Sequence, residues 1–146
     1  MGPAQARKHA STQAGVRSFI ITFDVYVIVN IFDKYDNKRL GPLCLLSVDA
    51  PGFITLVSVI ELTWVLESAF ELNRSQIVEV FQRIMSVDVF KVDRVGIVAS
   101  ALRIYANSKA DFADCLIERF SAHAGCAQTM TFDRHAAKTG GMVLIA

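Results

Sequence analysis

The sequence lacks the short motifs that would assign its chemistry directly. No G-x-S-x-G, P-loop or G-x-G-x-x-G motif occurs in its 146 residues. Its three cysteines, Cys44, Cys115 and Cys126, have neither metal-ligand spacing nor the even number of a disulfide framework. We therefore predict buried, reduced thiols, which fits a cytoplasmic protein.

Long apolar runs are also missing. A membrane-spanning helix needs about 20 predominantly apolar residues, and the longest apolar region, about 43–66, is interrupted by Asp49, Pro51, Gly52 and Glu61. The stretch 18–32 contains Asp24 and no small-residue cleavage signal, which argues against a secretory peptide. We expect no membrane association.

Charge of one sign is not in excess. The net charge of +1 identifies no partner, but a local basic rim can still lie beside an acidic pocket and attract a nucleic acid. The candidates for such a rim are Arg7, Lys8, Arg17, Lys34, Lys38, Arg39, Lys109, Arg134 and Lys138.

The residues that are present predict one α/β domain. Hydrophobic residues make up 53% of the chain, enough for a single core. We predict a loose leader over 1–17 and a domain over 18–146. Strand and helix patterns alternate, which favours a mainly parallel sheet with helices on both faces. The predicted strands are 18–32 (which could run on into a helix), 53–55, 89–92, 127–132 and 142–145, and the predicted helices are 56–71, 73–87, 93 or 94–106, 109–124 and 134–139. Ser75 is the predicted N-cap of the second of these helices, Val95 is expected to face inward in the third, and Gly140 with Gly141 is predicted to form a turn.

Glu61 is the only charged residue in the run 53–66. The pattern predicts a strand feeding a mostly buried helix, where an unpaired carboxylate costs several kcal/mol. No Lys or Arg is near it in sequence. Together with the acids downstream, it predicts an acidic pocket that holds a hard divalent cation.

Asp111 and Asp114 form a D-x-x-D pair. Positions three apart share a helix face, so both carboxylates would point the same way from a first turn. A helix N-terminus favours anions, and Asp111 could simply cap the helix. Asp114 is less easily explained as a cap, because Cys115, Leu116 and Ile117 follow it directly.

Asp133 and Asp24 are associated with strands. Asp133 ends the segment Thr-Phe-Asp and could either bind a ligand or cap the next helix. Asp24 lies in the first apolar strand, at a site or at an edge position. His123 and His135 have no catalytic or zinc-binding partner at a suitable spacing, so we expect them at the surface.

Three segments together carry a resemblance to a known family. They are SVIELTWVL around Glu61, the helix ADFADCLIERFSAHAGC, and TMTFDR followed by HAAKTGGMVLI. Over about residues 51–145, the chain resembles a PIN-domain ribonuclease of the VapC toxin type. The resemblance implies a three-layer α/β/α fold and a cluster of acids that binds Mg²⁺ or Mn²⁺.

The resemblance also implies roles for individual residues. Glu61, Asp114 and Asp133 match the family's metal-site acids, and Asp111 matches an extra acid of many members. Asp24 is the only candidate for the first acid, although Val and Tyr follow it where the family's motif has Thr and Asn. On this basis Asp24, Glu61, Asp114 and Asp133 would be catalytic, and Asp111 would join them around the metal.

Family likeness further implies RNA as substrate, an antitoxin protein as partner and a homodimer. One alternative is an inactive PIN-like binding module, which the altered motif at Asp24 would favour. Another is a structural α/β domain whose acids are caps and surface charges.

Overall fold

The computed structural model describes residues 21–22, 28 and 51–146 of the chain. Within them, strands and helices alternate as the sequence predicts. The strands are β1 (Ile21–Thr22), β2 (Gly52–Ile54), β3 (Phe90–Val92), β4 (Met130–Thr131) and β5 (Val143–Leu144). The helices are α1 (Leu56–Ser68), α2 (Arg74–Ser86), α3 (Val95–Ala106), α4 (Phe112–His123) and α5 (Arg134–Thr139).

The described strands form two small sheets, and every described strand pair is parallel. β2 lies between β1 and β3, with Gly52 opposite Ile21 on one side and Phe90 on the other. β4 pairs with β5, with Met130 opposite Val143. This confirms an α/β fold with parallel pairing; the single central sheet and the three layers remain predictions. The leader 1–17, Asp24 and Cys44 lie outside the described residues.

Local sequence signals explain where the helices begin and end. Thr55 caps α1 by accepting a hydrogen bond from the Ser58 backbone N–H at 3.2 Å. Asn73 caps α2 and forms a capping box with Gln76. Gly125 follows the end of α4 with a φ of 87°, a conformation that glycine adopts at little cost. The helices therefore start and stop at polar caps and a glycine, as the chain chemistry requires.

One hydrophobic core joins α1, α2, α3 and α4. Its most deeply buried side chains include Val59, Phe81, Val98 and Tyr105, with at most 1% of each surface exposed. Ile28, which is helical, is also fully buried in this core. α3 and α4 pack on each other most extensively, and α1 packs against both α2 and α4. No helix in the described part of the chain is long and apolar enough to cross a membrane.

Several sequence-based expectations were wrong in detail. Ser75 does not cap α2, because Asn73 holds that position. Val95 was expected to face inward but is 49% exposed. The predicted strand 127–132 is paired only at Met130–Thr131, and α4 begins at Phe112 instead of 109.

α1 was expected to be mostly buried, and this too was wrong. Its buried residues are Val59, Leu62, Thr63 and Leu66, whereas Val57 and Trp64 are 69% and 68% exposed. An all-round apolar sequence does not say which face meets the core, so periodicity could not decide this point.

Candidate acidic site at the start of two helices

Asp111 and Asp114 stand at the first turn of α4. Asp111 occupies the N-cap position, but its side chain makes no capping hydrogen bond. Asp114 lies within the first turn and is half-buried. The helix N-terminus favours negative charge here. The capping alternative for Asp111 therefore applies to its backbone and not to its carboxylate.

Asp133 stands at the start of α5 and does cap its helix. Its Oδ1 accepts a hydrogen bond from the Ala136 backbone N–H at 2.8 Å. Its own N–H donates to Thr131 Oγ1 at 3.0 Å, which fixes the turn between β4 and α5. A carboxylate has about four lone-pair sites, so capping does not use up its capacity to accept further bonds.

The segment before α4 contacts the end of α5. The Lys109 backbone N–H donates to Thr139 Oγ1 at 3.2 Å, which links this segment to the end of α5. Gly140 allows the close approach, because a Cβ there would lie 3.0 Å from the Ala110 Cβ and 2.7 Å from the Ala136 carbonyl oxygen. Space, and not a positive φ, is the reason for glycine at this position.

Among these acidic residues, Asp114 carries a carboxyl group with a shifted pKa. The pKa of Asp114 is raised above its usual value, first by burial and then by the negative charges of Asp111 and Asp133. Like charges disfavour the ionised form when they are close. A carboxyl whose ionised form is disfavoured by both burial and its neighbours is typical of a site that receives a cation.

A cavity lined by basic residues contains positions next to the acids in sequence, such as Arg134 after Asp133, but none of the three aspartates lines it. It has a volume of about 490 Å³ and lies between the segment that leads into α4 and the helix α5. Three of the predicted rim cations, Lys109, Arg134 and Lys138, line it, and all three are exposed. The other lining residues are Asn107, Ser108, His135 and Thr139.

Glu61 differs from the expectation that singled it out. It lies in α1 but is exposed, so water can solvate its carboxylate and no cation is needed to offset burial. The physical reason is that the buried face of α1 passes through its neighbour Leu62, about 100° further round the helix. Asp24 lies outside the described residues, and its position relative to the other acids is not described.

Of the described cysteines and histidines, one is buried and the others are exposed. Cys115 is buried beside Asp114 in sequence, and burial raises the pKa of its thiol, which disfavours a nucleophilic thiolate. Cys126 is exposed, so the prediction of buried thiols was wrong for it. His123 and His135 are both exposed, as predicted.

The donor chemistry of this site fits a hard cation. Within the described residues, no three or more His, Cys, Asp or Glu side chains are gathered closely enough to hold a metal ion together. Mg²⁺ keeps several waters and is usually bound through one or two carboxylates, so it does not need an all-protein cage. Asp114, with Asp111 or Asp133 beside it, supplies oxygen donors of that kind.

Sequence reasoning missed the residues that assemble the site. Thr131 accepts a hydrogen bond from the Asp133 N–H, Thr139 accepts one from the Lys109 N–H, and Gly140 lies close to Ala110. Only Gly140 gave a local signal, which was interpreted as an ordinary turn. Arg74, which contacts the segment before α4, gave none.

These features define an α/β protein with acidic residues at the starts of α4 and α5 and a cavity lined by basic residues between α5 and the segment before α4. The chain is similar to the VapC ribonuclease of Aquifex aeolicus (strain VF5), with 27% identity over 88 residues. The match covers 60% of this chain and 65% of that protein, so it spans slightly less than two thirds of the relative. No family model and no solved structure matches the chain. The similarity indicates a distant relationship to VapC ribonucleases.

Proposed function

We propose that this protein is a metal-dependent endoribonuclease with a PIN-type fold, the toxin of a toxin–antitoxin pair. The observations that carry the proposal are the raised pKa of half-buried Asp114, to which the charges of Asp111 and Asp133 contribute, and a cavity lined by Lys109, Arg134 and Lys138, which are near these acids in sequence. A phosphodiester carries negative charge, so a nuclease needs cationic groups for the substrate and acids for a metal. The similarity to a VapC ribonuclease supports the same chemistry.

In this proposal the acidic residues would hold the metal ion and the basic residues would bind RNA. When bound, Mg²⁺ or Mn²⁺ would lower the pKa of a water and neutralise charge on the phosphate. Asp114 and Asp133 would hold the ion directly or through water, with Asp111 beside them. Asp24 and Glu61 complete the proposed set on the strength of the family resemblance.

The basic cavity supplies the contact to RNA in this proposal. Lys109, Arg134 and Lys138 would bind phosphates on either side of the scissile bond. Arg134 is suited to bidentate phosphate contacts, whereas lysines act as point charges. The proposed partners are an RNA substrate, a cognate antitoxin and a second copy of the chain; sedimentation over a range of protein concentrations would measure the homodimer.

The test is Mn²⁺ binding by calorimetry together with RNA cleavage. We compare wild type with Asp114→Asn, Glu61→Gln and Asp24→Asn. Asp88→Asn is the control, because Asp88 is an exposed acid outside the site. We expect wild type to bind Mn²⁺ and cleave RNA, and Asp114→Asn to lose at least the roughly 10–100-fold in affinity that disturbed metal surroundings cost.

Each outcome identifies a different part of the proposal. Cleavage that survives Asp114→Asn or Glu61→Gln would remove that residue from the site. Loss of Mn²⁺ binding in Asp24→Asn would show that the first strand delivers its acid despite the altered motif. A wild-type protein that neither binds Mn²⁺ nor cleaves RNA would instead be an inactive PIN-like binding module.

A further inference from the structure

Arg74, the first residue of α2, connects both ends of the segment between α3 and α4. Its Nη1 donates to the Tyr105 carbonyl at 3.2 Å and to the Ala110 carbonyl at 2.7 Å. Tyr105 belongs to the last turn of α3, and Ala110 directly precedes Asp111. One guanidinium nitrogen thus clamps the start and the end of this connection.

Neighbouring side chains hold this guanidinium in place. Its Cζ lies 4.3 Å from the centroid of the Tyr105 ring, a favourable cation–π distance. The Tyr105 hydroxyl in turn donates to Glu67 Oε1 on α1 at 2.7 Å. Arg74 itself is half-buried. Its position is therefore defined by α1 and α3 as well as by its own helix.

An aromatic cluster passes the same constraint to the first turn of α4. The Tyr105 ring packs edge-on against Phe112, with centroids 5.8 Å apart and planes at 86°. Phe112 also stacks on Phe81 of α2, with centroids 5.8 Å apart. Phe112 lies between Asp111 and Asp114 in the chain, so packing around Arg74 and Tyr105 sets the rotation of the turn that carries both acids.

The start of α4 is thereby held from two sides. Arg74 holds the Ala110 carbonyl from the α2 side, and Thr139 holds the Lys109 N–H from the α5 side. The Asp111 side chain makes no capping bond that would fix it independently. The orientation of the D-x-x-D pair consequently depends on these two anchors.

We infer that Arg74 is a positioning residue, which orients Asp111 and Asp114 toward Asp133 by clamping the segment before α4. This inference rests on the proposed function, since it assigns the clamp to the proposed metal site. Lysine does not reproduce the clamp, because its side chain ends one bond short of the position of Nη1 and its ammonium has no planar face to stack on the Tyr105 ring. Arg74 itself does not touch the metal or the RNA in this model of its role.

The experiment measures Mn²⁺ binding, with the ion alone, on the full chain carrying Arg74→Lys. We expect about a tenfold or greater loss of affinity, the range seen when groups that orient metal ligands are changed. RNA cleavage by the variant should recover as the Mn²⁺ concentration is raised. Because bound Mn²⁺ also stabilises a folded protein, thermal unfolding at each Mn²⁺ concentration must show that Arg74→Lys is folded throughout.

Two variants separate positioning from stability. Tyr105→Phe removes the bond to Glu67 but keeps the ring and the backbone carbonyl that Arg74 contacts. Arg83→Lys changes an exposed arginine on the same helix, which pairs with Glu79. Arg83→Lys should leave Mn²⁺ affinity unchanged, whereas Tyr105→Phe should lower it less than Arg74→Lys does, because it keeps both bonds of Arg74 to the backbone. An equal loss of affinity in Tyr105→Phe would overturn the assignment to Arg74.

Hydrogen exchange distinguishes failure of this inference from failure of the proposed function. Unchanged Mn²⁺ affinity in folded Arg74→Lys overturns the inference and leaves the nuclease proposal standing. If wild type binds no Mn²⁺, the nuclease proposal fails. The clamp is then tested by hydrogen exchange of the Cys115 amide, which donates to the Asp111 carbonyl at 3.1 Å. Arg74→Lys should speed up exchange of the Cys115 amide more than exchange of the other amides of α3 and α4. Equal acceleration across both helices would overturn the clamp.

If Arg74→Lys does not fold, hydrogen exchange of the wild-type protein tests the clamp instead. A clamped first turn predicts that the Cys115 amide exchanges as slowly as amides in the middle of α3. Slow exchange supports the clamp, and fast exchange at Cys115 overturns it.

Discussion

Three aspartates that look alike in the sequence differ in what their carboxylates do. Asp133 caps a helix, Asp111 occupies a cap position without using its side chain, and Asp114 is half-buried between the charges of the other two. Glu61, the most suggestive acid in the sequence, is exposed. At the residue scale, the metal proposal therefore depends more on Asp114 than on Glu61.

The raised pKa of Asp114 makes its charge a cost to folding in the absence of metal. A folded-state pKa above the unfolded value means that the folded protein binds the proton more tightly. The free energy of unfolding then falls as pH rises through the ordinary Asp pKa of about 3.9 and through the raised folded value. At neutral pH the destabilisation is fully present.

Asp114→Asn should consequently stabilise the metal-free protein at neutral pH. We expect a gain of less than about 1 kcal/mol, since a partly exposed charge is screened by solvent. The gain should vanish below about pH 3, where both states are protonated. Thermal unfolding in a chelator from pH 3 to 8 measures it, with Asp88→Asn as the matched exposed control. A variant less stable than wild type at neutral pH would show that favourable contacts of the carboxylate prevail.

At the scale of elements, helices followed the sequence more closely than strands. α5 was predicted with its observed bounds, and the ends of the other helices moved by zero to three residues. Helices have local signals such as caps and apolar periodicity. Strand length depends on a partner strand, so the predicted strand 127–132 shrank to the two residues that pair with β5.

Gly140 and Gly96 give opposite predictions for the same substitution. Gly140→Ala would bring a Cβ into the Ala136 carbonyl and the Ala110 side chain, and we expect it to destabilise by about 1–3 kcal/mol. Gly96→Ala lies in the first turn of α3, where a Cβ meets nothing within 4 Å, and should stabilise by up to about 1 kcal/mol. Denaturant unfolding measures both. Equal effects would mean that α5 does not approach Ala110 this closely.

Gly140→Ala should also weaken Mn²⁺ binding, because it separates α5 from the segment before α4. Gly96→Ala should leave that affinity unchanged. This comparison links an element contact to the proposed site without altering any acid.

At the scale of the whole molecule, burial divides α1 into two faces. Leu62 is 1% exposed in the common core, whereas Trp64, the only tryptophan, is 68% exposed. Val57 and Ile60 share the exposed side with Trp64. A contiguous apolar face of this kind is typical of surfaces that meet a partner.

Substitutions on the two faces should differ sharply in the free energy of unfolding. Leu62→Ala is expected to cost about 2–5 kcal/mol, because it leaves a cavity in the core. Trp64→Gln should change stability by less than about 0.5 kcal/mol, as is usual for exposed positions. Urea unfolding at low protein concentration measures both variants. A large cost at Trp64 under those conditions would show that its face is covered.

The sequence by itself determined the α/β alternation, the helix positions and the presence of acids at the starts of α4 and α5. These features depend on neighbours within a few residues, which a single chain displays directly. Asp133 as a cap and the three rim cations Lys109, Arg134 and Lys138 were also within its reach.

Only the tertiary structure decided which acids are exposed and which residues hold the segment before α4 in place. The exposure of Glu61, the clamp of Arg74 on Ala110 and the approach of Gly140 to the same residue involve elements far apart in sequence. The physical reason for these three features is packing. The other elements decide which face of α1 enters the core and which side chains fill the space between α2, α3 and α4. No local pattern encodes that choice.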